Sequence, residues 1–114
     1  MGVLAATMRL MILTATKNNL EYRQMNLTEK ISSLHLQISE NEEFMGDLDP
    51  DSPELKTMNS ERRRLNEYEK KIQMQLQTID ARLRQIMAEM DACRNMLNMG
   101  IQQSGLFTYG MSGR

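Results

Sequence analysis

This chain has no tryptophan, and its three tyrosines and two phenylalanines make up only 4% of 114 residues. Proline occurs twice, at Pro50 and Pro53. Scarce aromatics with proline in one place disfavour a β-sandwich or barrel, whose many turns need both. A single cysteine, Cys93, excludes an internal disulfide, and a single histidine, His35, lies far from it in sequence. Neither a metal cluster nor a Cys–His pair can be assembled from them within one chain. No glycine-rich phosphate loop follows a strand, and no strand pattern is evident. Long apolar runs are missing as well: the run over residues 3–15 is split by Arg9 and falls short of the ~20 apolar residues that a membrane span needs. That run also lacks a basic start and a small-residue cleavage site, so no cleaved secretory signal is expected. Met1-Gly2 opens like a myristoylation site, but Ala6 stands where Ser or Thr is wanted. Fourteen basic against fifteen acidic residues leave a formal charge of −1 and no global field for nucleic acid or an acidic membrane. The expectation is one all-α domain that is not an enzyme and carries no cofactor or metal.

What the chain has in abundance is apolar residues at alternating gaps of three and four. From Leu55 the series runs Met58, Leu65, Ile72, Leu76, Ile79, Leu83, Ile86, Met90, Cys93 and Leu97, interrupted at Arg62 and Glu69. The first half repeats the cadence as Leu10, Leu13, Leu20, Leu27, Ile31, Leu34 and Ile38, interrupted at Lys17 and Gln24. Such spacing keeps one stripe of a helix turned towards a partner helix along its length. Cys93 falls on the stripe and reads as a small buried apolar residue. His35 falls beside it and reads as a flanking residue.

Between the halves, Gly46-Asp47-Leu48-Asp49-Pro50-Asp51-Ser52-Pro53 cannot continue a helix. Ser52 suits a cap, Pro53 the first helical position and Glu54 the first turn, while Gly46 suits the residue just past a helix end. A loop of about six residues gives antiparallel neighbours in helical hairpins. The sequence therefore predicts a coiled-coil hairpin over residues 1–99, with helices over about 3–45 and 53–99, a turn at 46–52 and a flexible tail over 100–114. Folding there sets Glu40, Asn41, Glu42 and Glu43 near Glu61, Arg62, Arg63 and Arg64, where ion pairs would select the register. A phosphate-binding role for the three arginines is the alternative, but adjacent acids and the lack of interleaved aromatics favour a solvated flank.

The open end of this hairpin carries more apolar surface than one stripe can use. Leu4, Met8, Met11, Ile12 and Ala15 lie off the first stripe, and Met87, Met96 and Met99 lie off the second, flanked by Met90 and Leu97. Six of the twelve methionines gather there. A helix apolar all round is expected to be buried, and unbranched Met side chains adapt to irregular or exchanging surfaces. Leu4, Met8, Met11, Ile12, Met87, Met90, Met96 and Met99 are the expected association surface. The tail from Gly100 holds four glycines and adds Phe107 and Tyr109, a candidate contact segment that orders on docking.

The turn and the residues after it resemble the needle subunits of bacterial type III secretion systems, helical hairpins joined by a Pro-x-x-Pro turn. The matching residues are Pro50-Asp51-Ser52-Pro53, Leu55 and Leu65-Asn66-Glu67-Tyr68, within about 20 residues of the chain. The resemblance implies helical polymerisation, export without a cleaved signal after cytoplasmic synthesis, and a C-terminus buried at subunit contacts. The chain departs from that family in its more regular heptads, its glycine-rich tail and the missing Trp-rich opening of some members. Its opening, Ala5-Ala6-Thr7-Met8-Arg9-Leu10 through Thr14-Ala15 to Glu21-Tyr22, is also similar in style to small uncharacterised bacterial helical proteins, a likeness that carries no function. Three roles follow as expectations. The first is a self-associating structural protein, a subunit of a bacterial secretion or surface assembly. The second is a cytoplasmic escort that binds a partner's amphipathic helix, and the third an anionic-surface or nucleic-acid binder acting through the arginines.

Overall fold

The computed structural model describes the backbone of residues 2–112 and the side chains of residues 2–100. It contains two α-helices, α1 (Val3–Gly46) and α2 (Pro53–Ser112), and no strand among the described residues. The six residues between them reverse the chain, so the molecule is a helical hairpin.

The reversal is built from local chemistry. The N–H of Ser52 donates to the Asp49 carbonyl at 3.0 Å, closing a turn with Pro50 and Asp51 at its centre. Proline presets the φ that this position needs, and no residue of the turn has positive φ. The Asp49 carboxylate accepts the N–H of Asp51 at 3.3 Å. Ser52 Oγ accepts the N–H of Leu55 at 3.2 Å, the capping bond expected of it. A cap of this kind contributes about 1 kcal/mol to the helix. Gly46 differs from expectation. It is the last residue of α1, and its φ is not positive. The helix end closes instead through bonds from Asp47 N–H to the Phe44 carbonyl and from Leu48 N–H to the Met45 carbonyl, both 3.2 Å. These three-residue spacings tighten the last turn and make a left-handed glycine cap unnecessary.

The chain divides into two compact units, Tyr22–Asp80 around the turn and Met1–Glu21 with Ala81–Arg114 at the open end. In the turn unit, Leu34, Ile72 and Ile79 are buried. Leu27, Ile31, Ile38, Leu55, Met58, Leu65 and Leu76 are half-buried on the same cadence, and so are Arg62 and Glu69. His35 flanks the seam as its spacing indicates. Its Nε2 lies 3.1 Å from Glu69 Oε1, which also accepts from Gln73 Nε2 at 3.1 Å. The open-end unit is better packed. Ala6, Leu13, Leu20, Leu83, Ile86, Met90 and Cys93 are all buried, and Arg9 Nη2 meets Glu89 Oε2 at 2.7 Å across the helices.

The seams hold residue by residue, and the cadence extends beyond its apolar members. Ala6, Asn41, Met45 and Leu48 continue it in the first half of the chain, and Gly100 continues it in α2. A Cβ on Gly100 would lie 2.6 Å from Val3 Cγ2, so this glycine permits a close approach of the two helices. The expected end of the second helix near residue 99 is corrected accordingly. Helical backbone runs on through Ser112, because interior glycines weaken a helix by about 1 kcal/mol each without forbidding it. Phe107 and Tyr109, expected as tail contacts, lie outside the described side chains.

The expected charge register is not what the helices use. Among the described residues, no ion pair joins Glu40, Glu42 or Glu43 to Arg62, Arg63 or Arg64. Polar contacts between the helices include that of Arg9 with Glu89 and that of His35 with Glu69.

A candidate association face on the first helix

Burial fixes the heptad frame of α1. With Ala6, Leu13 and Leu20 buried at d, and Leu10 and Lys17 half-buried at a, the outward positions of residues 4–15 are Leu4, Ala5, Met8, Met11, Ile12 and Ala15. All six are apolar and all six are exposed; Leu4 is 74% accessible, Met11 68%, and Met8 and Ile12 56% each. The back of α1 at the open end is thus as apolar as its buried seam.

Its surroundings are made less polar still by local bonding. Thr7, Thr14 and Thr16 flank this face, and their hydroxyls donate to the carbonyls of Val3, Leu10 and Ile12 at 2.8–2.9 Å. A hydroxyl bonded to its own helix offers little to solvent or to a ligand. Arg9, the one charge in residues 3–16, is engaged by Glu89. Contiguous exposed apolar faces are uncommon on monomeric proteins and recur at interaction sites.

Only part of the expected association surface gathers here. Leu4, Met8, Met11 and Ile12 share the face, joined by Ala5 and Ala15. Met90 does not belong to it: at 4% accessibility it is core, because it lies on the seam of α2. In the heptad frame of α2, Met87 and Met96 fall at e and g, on opposite flanks of that seam, and Met99 falls at c. They are 44%, 39% and 59% accessible. The outward positions of α2 in the same unit include Arg84, Asp91, Asn95 and Asn98, so its back is polar.

The turn unit offers one further concavity, a groove of about 490 Å³ beside the Leu65-Asn66-Glu67-Tyr68 stretch. Arg64 and Lys71 line it together with Glu61 and Glu67, so its charges balance. Arg62, Arg63 and Arg64 project from α2 at successive steps of about 100°, which spreads them over different faces. Arg62 is half-buried on the seam while Arg63 and Arg64 are exposed, so the three cannot meet one anionic ligand together.

No protein-family model matches this chain, and no curated protein or solved structure matches it either. Among the described residues no group of three or more His, Cys, Asp or Glu side chains could hold a metal ion. No helix among them is long and apolar enough to cross a membrane.

Proposed function

We propose that this chain is a non-enzymatic interaction protein whose hairpin self-associates through the back of α1. The observation that carries this reading is the unbroken apolar face formed by Leu4, Ala5, Met8, Met11, Ile12 and Ala15. A two-helix hairpin has no third layer of its own to cover such a face. The capped Pro50-Asp51-Ser52-Pro53 turn and the Leu65-Asn66-Glu67-Tyr68 stretch, where the chain resembles type III needle subunits, support a place in a bacterial secretion or surface assembly.

An escort role is the second reading. It is favoured by the two methionines on the face and its flanking threonine methyls, since unbranched thioethers repack around foreign side chains. Sedimentation velocity over a concentration series separates the two. The self-associating reading expects masses above the 13.2 kDa of one chain. Changing Met8 and Met11 together to Glu should return the protein to monomer, with the helical circular dichroism retained because both residues point away from the seam. Loss of helicity alongside association would mean that these methionines are ordinary core. A wild-type monomer that binds an added amphipathic peptide would transfer the face to the escort reading.

A further inference from the structure

The occupant of this face can be specified further, on the reading that the chain self-associates. Leu4, Met8, Met11 and Ala15 follow one another at gaps of four, three and four. That order reads the same from either end. Laid antiparallel on a second copy, with a two-fold axis between Met8 and Met11, the stripe sets each Leu4 over the other chain's Ala15 and each Met8 over its Met11. Large meets small at the outer pair and two adaptable side chains meet at the centre. Ala5 and Ile12 form a second large–small pair along one edge. A parallel pairing would crowd Leu4 against Leu4 and leave a void between two alanines, which close-packed interiors do not tolerate. We infer that the partner of this face is the same face of a second copy, packed antiparallel across a two-fold axis.

Charge supports that occupant over a lipid surface. Helices that lie on anionic membranes carry lysines and arginines along the polar border of their apolar face. Here the border is Thr7, Thr14, Thr16 and one arginine, and that arginine is engaged by Glu89 at 2.7 Å. In the antiparallel pairing the two Arg9 residues lie near the axis, but each guanidinium is paired with Glu89 of its own chain at 2.7 Å, and Lys17 lies well away from it. Three turns of helix make a smaller contact than the ~800 Å² per partner of stable complexes, so the dimer is concentration-dependent.

The experiment uses two full-length variants on a Cys93→Ala background, which removes the one native thiol. One carries Leu4→Cys, the other Ala15→Cys, and the two are mixed and oxidised at concentrations where the wild type sediments above monomer mass. The antiparallel pairing makes the mixed Leu4→Cys/Ala15→Cys disulfide the main crosslinked species, with both same-variant disulfides suppressed. Adding Met8→Glu and Met11→Glu to both chains should abolish the crosslink. If the wild type associates but Leu4→Cys crosslinks mainly to itself, the antiparallel pairing is overturned while self-association stands. If the wild type remains monomeric at every concentration, both fall. A monomer that instead partitions onto uncharged lipid vesicles would give the face to a lipid surface.

Discussion

Truncating Ile79 or Leu83 to alanine should lower the unfolding free energy by about 2–4 kcal/mol, as deletion of buried methyl groups does in packed cores. Each side chain is 5% accessible and lies on the α2 seam, one in each compact unit. Arg63 is exposed one residue from the seam position of Arg62, so Arg63→Ala should stay within about 0.5 kcal/mol. Urea denaturation followed by helical circular dichroism measures both. Comparable losses from the two classes would show that the three-and-four cadence is not what holds the helices together.

Asn41→Leu should move stability the other way. Asn41 lies on the α1 cadence between Ile38 and Met45, and its Oδ1 is buried without a hydrogen-bond partner. A buried acceptor left unpaired costs about 1–3 kcal/mol, and leucine removes that cost while adding apolar contact. The expected gain is therefore about 1–3 kcal/mol, read as a higher urea midpoint at unchanged slope. A polar residue in a coiled-coil seam also restricts which residues face one another. The leucine variant should accordingly show broader cysteine-crosslinking partners near the turn. A lower midpoint would mean that the amide contributes more through an ordered partner than the apolar replacement supplies.

The seam was legible because burial in a helical pair depends on spacing, and spacing is written in the sequence. Even its interruptions were placed correctly: Lys17, Gln24, Arg62 and Glu69 are half-buried members of the stripe. What escaped was the part of the stripe that hydropathy does not mark. Ala6 is the most buried residue of the core at 1% accessibility, yet an alanine carries little apolar signal. Gly100 reads as a helix stop, while its position makes it a close-approach residue against Val3. Asn41 was grouped with the acidic run because its chemistry matches its neighbours and its register does not.

The association face was legible in its α1 half and not in its α2 half. Leu4, Met8, Met11 and Ile12 were found because they fall off the stripe, and falling off it puts them on the back of the helix. Met87, Met96 and Met99 were grouped with them by sequence proximity at the open end. Off-seam positions, however, include two opposite flanks as well as the back. The register ion pairs failed for a related reason: like-level charges pair only when they also share a flank. Arg9 and Glu89 share the g flank, where the long arginine side chain reaches its partner at 2.7 Å, and the acids of residues 40–43 make no such pair with the arginines of 62–64.

The uneven packing of the two units also orders events in time. His35 and Glu69 are 34 residues apart in the chain, whereas Arg9 and Glu89 are 80 apart. Bringing the nearer pair together first is entropically cheaper by about 0.8 kcal/mol, and every later contact then closes only a short stretch. Closure thus advances outward from the turn. Yet among the described residues only Leu34, Ile72 and Ile79 are buried in the unit that closes first, against seven side chains in the unit that closes last. Early steps fix many residues for little burial, and the free energy falls only as Leu20, Leu83 and Leu13 meet their partners. A half-zipped chain gains little from its contacts, so unfolding is expected to be cooperative. Native-state amide exchange should accordingly protect the backbone around Leu83 and Ile86 to the level of global unfolding, with no slower-exchanging block near the turn. Cooperative closure of this kind would present the apolar back of α1 only when the open-end seam has formed.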